Sequence, residues 1–119
     1  MTQRMLDEAE VRARLARELP RWTVEGGALV RRYRTTGWRG SMLVAGAVGH
    51  LAEAAWHHPD LLVRWGGVEV RLWTHDAGGI TAKDLALARR IEEVVAWRPA
   101  GADGLEGPPE EARLLQAEA

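Results

Sequence analysis

The sequence predicts an α+β fold: a four-stranded antiparallel sheet with helices packed on one face, in the order α-β-β-α-β-β-α. Three observations carry this. Two pairs of short, strand-like runs each flank a glycine pair, at Gly26-Gly27 and at Gly66-Gly67. Three longer stretches repeat apolar residues at helical spacing. Prolines at 20, 59 and 99 stop each of those stretches.

The first helix is expected over residues 5–18, with Leu6, Val11, Leu15 and intervening alanines on one face. Arg21–Glu25 and Ala28–Tyr33 then read as a hairpin, because glycine tolerates the positive φ that tight two-residue turns need. From Arg39 to Trp56 the pattern turns helical, and Leu43, Ala47, Leu51 and Ala55 are expected to face the core. Gly46 and Gly49 weaken that helix and offer a close approach to a sheet or a second subunit. Leu61–Trp65 and Val68–Thr74 form the second hairpin. In its second strand Val68, Val70, Leu72 and Thr74 point to the core, and Glu69, Arg71, Trp73 and His75 to a more polar surface. The last helix runs over residues 82–97 with Leu85, Ala88, Ile91 and Val95 inward, and Thr81 with Asp84 outlines a capping box. The glycine pairs lie forty residues apart and a helix follows each hairpin, which hints at a two-fold pseudo-repeat. These patterns leave the strand order open.

With 119 residues, 46% hydrophobic and 28% charged, the chain fits one globular domain with a modest core. We expect residues 1–98 to form that domain and 99–119 a linker-like acidic extension outside its core. The division follows the charge: fifteen Lys and Arg against twelve Asp and Glu before residue 99, one against five after it. No apolar run approaches the roughly 20 residues that cross a bilayer. With no cysteine there is no disulfide or thiolate metal site, so a cytoplasmic setting is expected. Arg31, Arg32, Arg34 and Arg39 form a basic cluster, read as a solvated face in preference to a nucleic-acid surface.

The chemistry concentrates in Glu53-Ala-Ala-Trp56-His57-His58-Pro59 and Thr74-His75, which hold three of the four histidines. Histidine exchanges a proton near neutral pH at little cost, so three imidazoles joined by the fold would make an acid–base pocket. Glu53 and His57 share one face of a helix that persists to His57, where the carboxylate could hold the ring in one tautomer. Asp84 reads equally as a helix cap and as a group that orients His75 or polarises a ligand. Trp22 and Trp65 are candidates for contact with a flat ligand and equally for the core. His50 reads as a surface or packing residue. Three imidazoles and a carboxylate also suit zinc, but the spacing selects no metal.

The ordered set Glu53, His57-His58-Pro59, Trp65, Thr74-His75, Gly78-Gly79, Thr81, Asp84 and Leu87-Ala88 resembles the pterin-4a-carbinolamine dehydratase family, over residues 5–97. The resemblance implies dehydration of 4a-hydroxytetrahydrobiopterin to quinonoid dihydropterin in tetrahydrobiopterin recycling, without metal or organic cofactor. It implies His57, His58 and His75 as pterin-site residues, and a homodimer or homotetramer joined through its sheets. An aromatic amino acid hydroxylase, which makes the carbinolamine, would be a pathway partner. On this basis His57 and His75 are expected to carry the proton transfers, with His58 beside them. Glu53, Pro59, Trp65, Thr74 and Asp84 are expected to bind or orient. Three features depart from the family: Trp65 stands where a tyrosine is common, Gly37–Met42 lacks the usual phenylalanines, and residues 99–119 extend past the usual end. The alternative is a non-catalytic dimerisation or assembly protein, since animal members also bind a transcription factor. Retention of all three histidines favours the enzyme.

Overall fold

The structure, a computed structural model, describes residues 4–117. Its elements are α1 (Glu8–Glu18), β1 (Thr23–Glu25), β2 (Ala28–Arg34), α2 (Trp38–Ala55), β3 (Asp60–Arg64), β4 (Gly67–Leu72) and α3 (Ala82–Val95), with 3-10 turns at His75–Ala77 and Glu110–Ala112. The sheet is antiparallel throughout, with strand order β1-β2-β4-β3. The second strand of each hairpin lies at the centre and the first at an edge. The three helices cover one face, as the apolar patterns require.

The capping residues explain two of the boundaries. α1 starts after Asp7, whose carboxylate accepts from Glu10 N–H at 2.8 Å while Glu10 accepts from Asp7 N–H at 3.3 Å. The expected helix over residues 5–18 is therefore shortened at its start. At α3, Thr81 Oγ1 accepts from Lys83 N–H and Asp84 Oδ2 accepts from Thr81 N–H at 2.9 Å, so the box outlined by the sequence is real.

The turns show where glycine is required. Gly26 and Gly27 both have positive φ (57° and 76°) between the paired residues Glu25 and Ala28, the geometry of a type I′ turn. The second hairpin turns one residue earlier than expected, at Trp65-Gly66. Gly67 already belongs to β4, opposite Arg64 and Arg34.

Along β4 the expected alternation holds: Val68, Val70, Leu72 and Thr74 are buried, whereas Glu69, Arg71 and Trp73 are half-buried and His75 is exposed. On the same face of the sheet Leu29 and Tyr33 meet Val11, Leu15, Val44, Val48, Leu85, Ala88 and Ile91. The core stripe of α2 thus differs from the expected one by a single residue. Val44, Val48 and Ala52 are buried, Leu51 lies at the margin, and Leu43 remains 51% exposed. A four-residue interval fits either phase of the helix, and the fold buries the one that carries Val44 and Val48. A Cβ at Gly46 or Gly49 would meet nothing within 4 Å, so neither glycine serves close packing within this chain.

The basic cluster is committed internally. Arg31, buried, donates to Glu92 at 2.9 and 3.2 Å, and the same carboxylate accepts from Trp22 Nε1 (2.8 Å) and Tyr33 O–H (3.0 Å). Burial works to raise the Glu92 carboxyl, but the Arg31 hydrogen bonds and charge, helped by Trp22 and Tyr33, hold it below the ordinary range. Arg32 bridges Glu25 and Glu69 on the outer face, and with Thr23 it draws the Glu25 carboxyl down to about 2. Arg34 donates to Gln116 and Arg39 to the Ala112 carbonyl. The C-terminal extension therefore returns to the domain. Leu115 packs against the core and pairs with Thr35, against the expectation that this segment stays outside the core.

Candidate active site

The site forms where α2 ends and where β4 passes into α3. α2 stops in a left-handed turn at Trp56 (φ 53°, ψ 47°), with the His57 N–H reaching back to the Ala52 carbonyl at 3.0 Å. That is the geometry of a Schellman cap, in which glycine is usual because a Cβ in this conformation costs about 1–2 kcal/mol. A tryptophan held there is stored strain. The sharp turn sends the two adjacent histidines in different directions: His57 inward and His58 outward.

His57 is buried, and its Nε2 lies 2.5 Å from Asp84 Oδ1. The donor at every bond around Asp84 follows from elementary chemistry. A carboxylate only accepts and a backbone N–H only donates. Asp84 Oδ2 accepts from Thr81 N–H and from Thr74 Oγ1–H (2.8 Å). With its proton so used, the Thr74 hydroxyl accepts from Thr81 Oγ1 at 2.8 Å, and Thr81 Oγ1 in turn accepts from Lys83 N–H. With Asp84 ionised, His57 donates its Nε2–H to Oδ1, and in the neutral ring Nδ1 carries the free lone pair. Among the described residues no buried side-chain nitrogen or oxygen lacks a partner. As no protein group bonds Nδ1, it must reach the open space beside it. Asp84 itself is fully buried, so this orienting contact is made away from water.

A cavity of about 240 Å³ lies over these groups, lined by Trp56, His57, His58, Thr74, His75, Asp76 and Lys83. His75 enters it from the 3-10 turn after β4, where Gly78 in the left-handed region (φ 75°) bends the chain back so that Gly79 can pair with Thr74. Trp73 lies 4.7 Å from His75 between ring centroids, and Trp56 meets His58 edge-on at 5.1 Å. The antiparallel pairing of β3 with β4 brings the two motifs together: Asp60 stands opposite Arg71, so His58-Pro59 falls beside the Trp73–His75 end.

All three candidate histidines thus line one cavity, with Thr74 in its wall and Asp84 behind it. Two expected pairings change. Glu53 bonds His58 (2.9 Å) on the exposed side, not His57, because the left-handed turn at Trp56 takes His57 off the helical face. Asp84 meets His57, not His75. Trp65 is not brought to the cavity: it sits at the far turn of the β3–β4 hairpin, 69% exposed and against Gly37. Trp22 belongs to the core, and Pro59 links α2 to β3. The sequence reading did not single out Trp56, Trp73, Asp76 or Lys83 for the site. Trp73 was legible in principle, two residues before His75 on the same strand face.

Separately oriented imidazoles around a cavity, one of them held in a set tautomer by a buried carboxylate, define a general acid–base enzyme on an α+β scaffold. The family model for pterin 4 alpha carbinolamine dehydratase matches residues 4–94. The chain belongs to this family. A relative from Haloarcula marismortui, provisionally named pterin-4-alpha-carbinolamine dehydratase, is 46% identical over 90 residues, 76% of this chain and 95% of its own. One from Thermomicrobium roseum with the same provisional name is 45% identical over 91 residues, 76% of this chain and 97% of its own. A transcriptional coactivator/pterin dehydratase from Brucella melitensis superposes with a TM-score of 0.69 at 27% identity, covering 78% of this chain and 99% of its own.

Proposed function

We propose that the protein is a lyase that dehydrates 4a-hydroxytetrahydrobiopterin, the 4a-carbinolamine, to quinonoid dihydropterin in tetrahydrobiopterin recycling. The observation that carries this reading is the His57–Asp84 contact at the wall of a cavity shared with His58 and His75. The reaction breaks the C4a–O bond, with a proton delivered to the departing hydroxyl so that water leaves. It removes the proton on N5, whose electron pair forms the C4a=N5 double bond. His57 is suited to the base role, because Asp84 occupies Nε2–H and leaves Nδ1 to accept a proton, after which the buried carboxylate stabilises the imidazolium. His75, exposed at the cavity edge, is suited to deliver the other proton. His58, tethered by Glu53 and packed on Trp56, is suited to hold the pterin.

No helix among the described residues is long and apolar enough to cross a membrane. We extend the reading to a cytoplasmic homodimer or homotetramer, supported by the absence of cysteine and by Trp38, Met42 and Leu43 left exposed on α2. A tetrahydropterin-dependent aromatic amino acid hydroxylase would supply the carbinolamine.

The test is the decay of freshly generated 4a-carbinolamine, followed by absorbance with wild type, His57→Ala and His75→Ala. Acceleration by wild type that falls by about 10²-fold or more in each folded variant is expected. Decay at the spontaneous rate with wild type would overturn the reading.

A further inference from the structure

The C-terminal extension lies beyond residues 4–94 matched by the family model, and it makes a specific contact of its own. β1 is three residues long and pairs only with Ala28–Val30, so the same edge of β2 farther along has no neighbour within the sheet. Backbone groups on that edge alternate, belonging to Arg32, Arg34 and Thr36, while Thr35 faces the β4 side and donates to the Gly66 carbonyl. The extension takes up this edge. Leu115 stands opposite Thr35 in an antiparallel bridge; Thr36 N–H donates to the Leu114 carbonyl at 3.0 Å, and Gln116 N–H donates to the Arg34 carbonyl at 2.9 Å.

Side chains add selectivity to this backbone pairing. The Gln116 carboxamide donates to the Thr35 carbonyl at 3.0 Å and accepts from Arg34 at 3.1 Å. Leu115 packs against the core cluster. From the first turn of α2, Arg39 donates to the Ala112 carbonyl at 2.8 Å, and the Thr36 hydroxyl donates to the Arg113 carbonyl. Gly40 makes room for the strand: a Cβ there would lie 2.6 Å from the Leu114 carbonyl oxygen. Elsewhere along α2, at Gly46 and Gly49, a Cβ would be free.

We propose that the β2 edge beyond β1, closed by the first turn of α2, is a peptide-docking site for an extended strand with an apolar side chain followed by a carboxamide. Its resident occupant is the chain's own segment 112–116. This is strand addition to a sheet edge, with the ligand supplied in cis. An unpaired edge invites association with other chains, and the docked segment closes it. The proposal is independent of the dehydratase reading, because the site lies at the opposite end of β4 from His75.

The experiment uses the full chain with its own segment released by Leu115→Asp and Gln116→Pro, which remove the core contact and the Gln116 N–H donor. A synthetic peptide of residues 110–117 is titrated by calorimetry. The released chain should bind it at least tenfold more tightly than wild type, whose site is occupied, and aspartate at the position of Leu115 in the peptide should weaken binding at least tenfold. Equal binding to both chains, or none to the folded released chain, overturns the proposal. A second arm reads Gly40→Ala in both backgrounds by thermal melting. With the segment docked, the added methyl should lower Tm. With it released, the helix-forming advantage of alanine should raise Tm by about 3–5 °C. The same shift in both backgrounds overturns the proposal.

Discussion

Asp84→Asn separates the chemical role of the buried carboxylate from its structural one. Asparagine has the same shape, and its carbonyl oxygen can accept from Thr81 N–H and Thr74 O–H as Oδ2 does now. Its NH2 group then faces His57 Nε2, 2.5 Å from the present Oδ1. A donor there compels Nε2 to accept, so the imidazole proton moves to Nδ1, which becomes a donor where it now holds a lone pair. It also withdraws the negative charge that would stabilise an imidazolium. The fold should survive at a cost of about 1–2 kcal/mol, since the hydrogen bonds are exchanged and not lost. Asp84→Ala, by contrast, leaves three buried donors unmet and removes the Asp84 half of the α3 capping box, and should cost about 3–5 kcal/mol.

The activity of Asp84→Asn should fall far more than its stability. Asp84→Asn is expected to lower kcat for carbinolamine dehydration by about 10²–10⁴-fold, or about 3–5 kcal/mol of barrier, as expected for a base held in the wrong tautomer. Stopped-flow absorbance gives kcat, urea unfolding gives the stability, and proton–nitrogen NMR of the imidazole reports which nitrogen carries the proton. A folded Asp84→Asn protein within threefold of wild-type kcat would refute the reasoning, as would an unchanged His57 tautomer.

Three further outcomes are expected. Trp56→Gly should relieve the left-handed cap and leave Tm unchanged or a few degrees higher, with about 1 kcal/mol of relief partly offset by the flexibility of glycine when unfolded. It should also raise KM several-fold by removing a cavity wall, and an unchanged KM would place Trp56 outside the binding surface. Glu92→Gln should cost about 2–4 kcal/mol at pH 7 by removing the carboxylate charge that buried Arg31 bonds at 2.9 Å. Because folding holds the Glu92 carboxyl below its ordinary 4.5, its contribution is present above that pH and lost as pH falls through the folded value. Unfolding measured at pH 7 and pH 3 should therefore show the gap from wild type narrowing in acid, and a widening gap would contradict the assignment. Finally, Val48→Ala should cost about 2 kcal/mol and Leu43→Ala less than about 0.5 kcal/mol, and denaturant midpoints in the reverse order would restore the other phase of α2.

Much of this protein is legible in the chain because the relevant physics is local. Period-2 alternation placed Val68, Val70, Leu72 and Thr74 on the core face, and Gly26-Gly27 specified a turn that needs two positive φ values. The Thr81–Asp84 spacing specified a cap, and the ordered histidine motifs specified the family. What failed turned on small displacements that spacing cannot resolve. A four-residue apolar interval fitted two phases of α2, and packing on the sheet selected Val44 and Val48. The partner of His57 depended on one left-handed residue at Trp56, which no propensity would place there. That residue turned His57 away from Glu53 and toward a carboxylate 27 positions on. The sequence by itself determined the elements, the family and the set of candidate histidines, because those depend on local spacing and residue chemistry. Only the tertiary structure decided the strand order, the pairing of His57 with Asp84, the removal of Trp65 to the far end of the hairpin and the return of Leu115 to the sheet. Each of these joins groups distant in the chain, and such contacts are chosen by the packing of the whole domain.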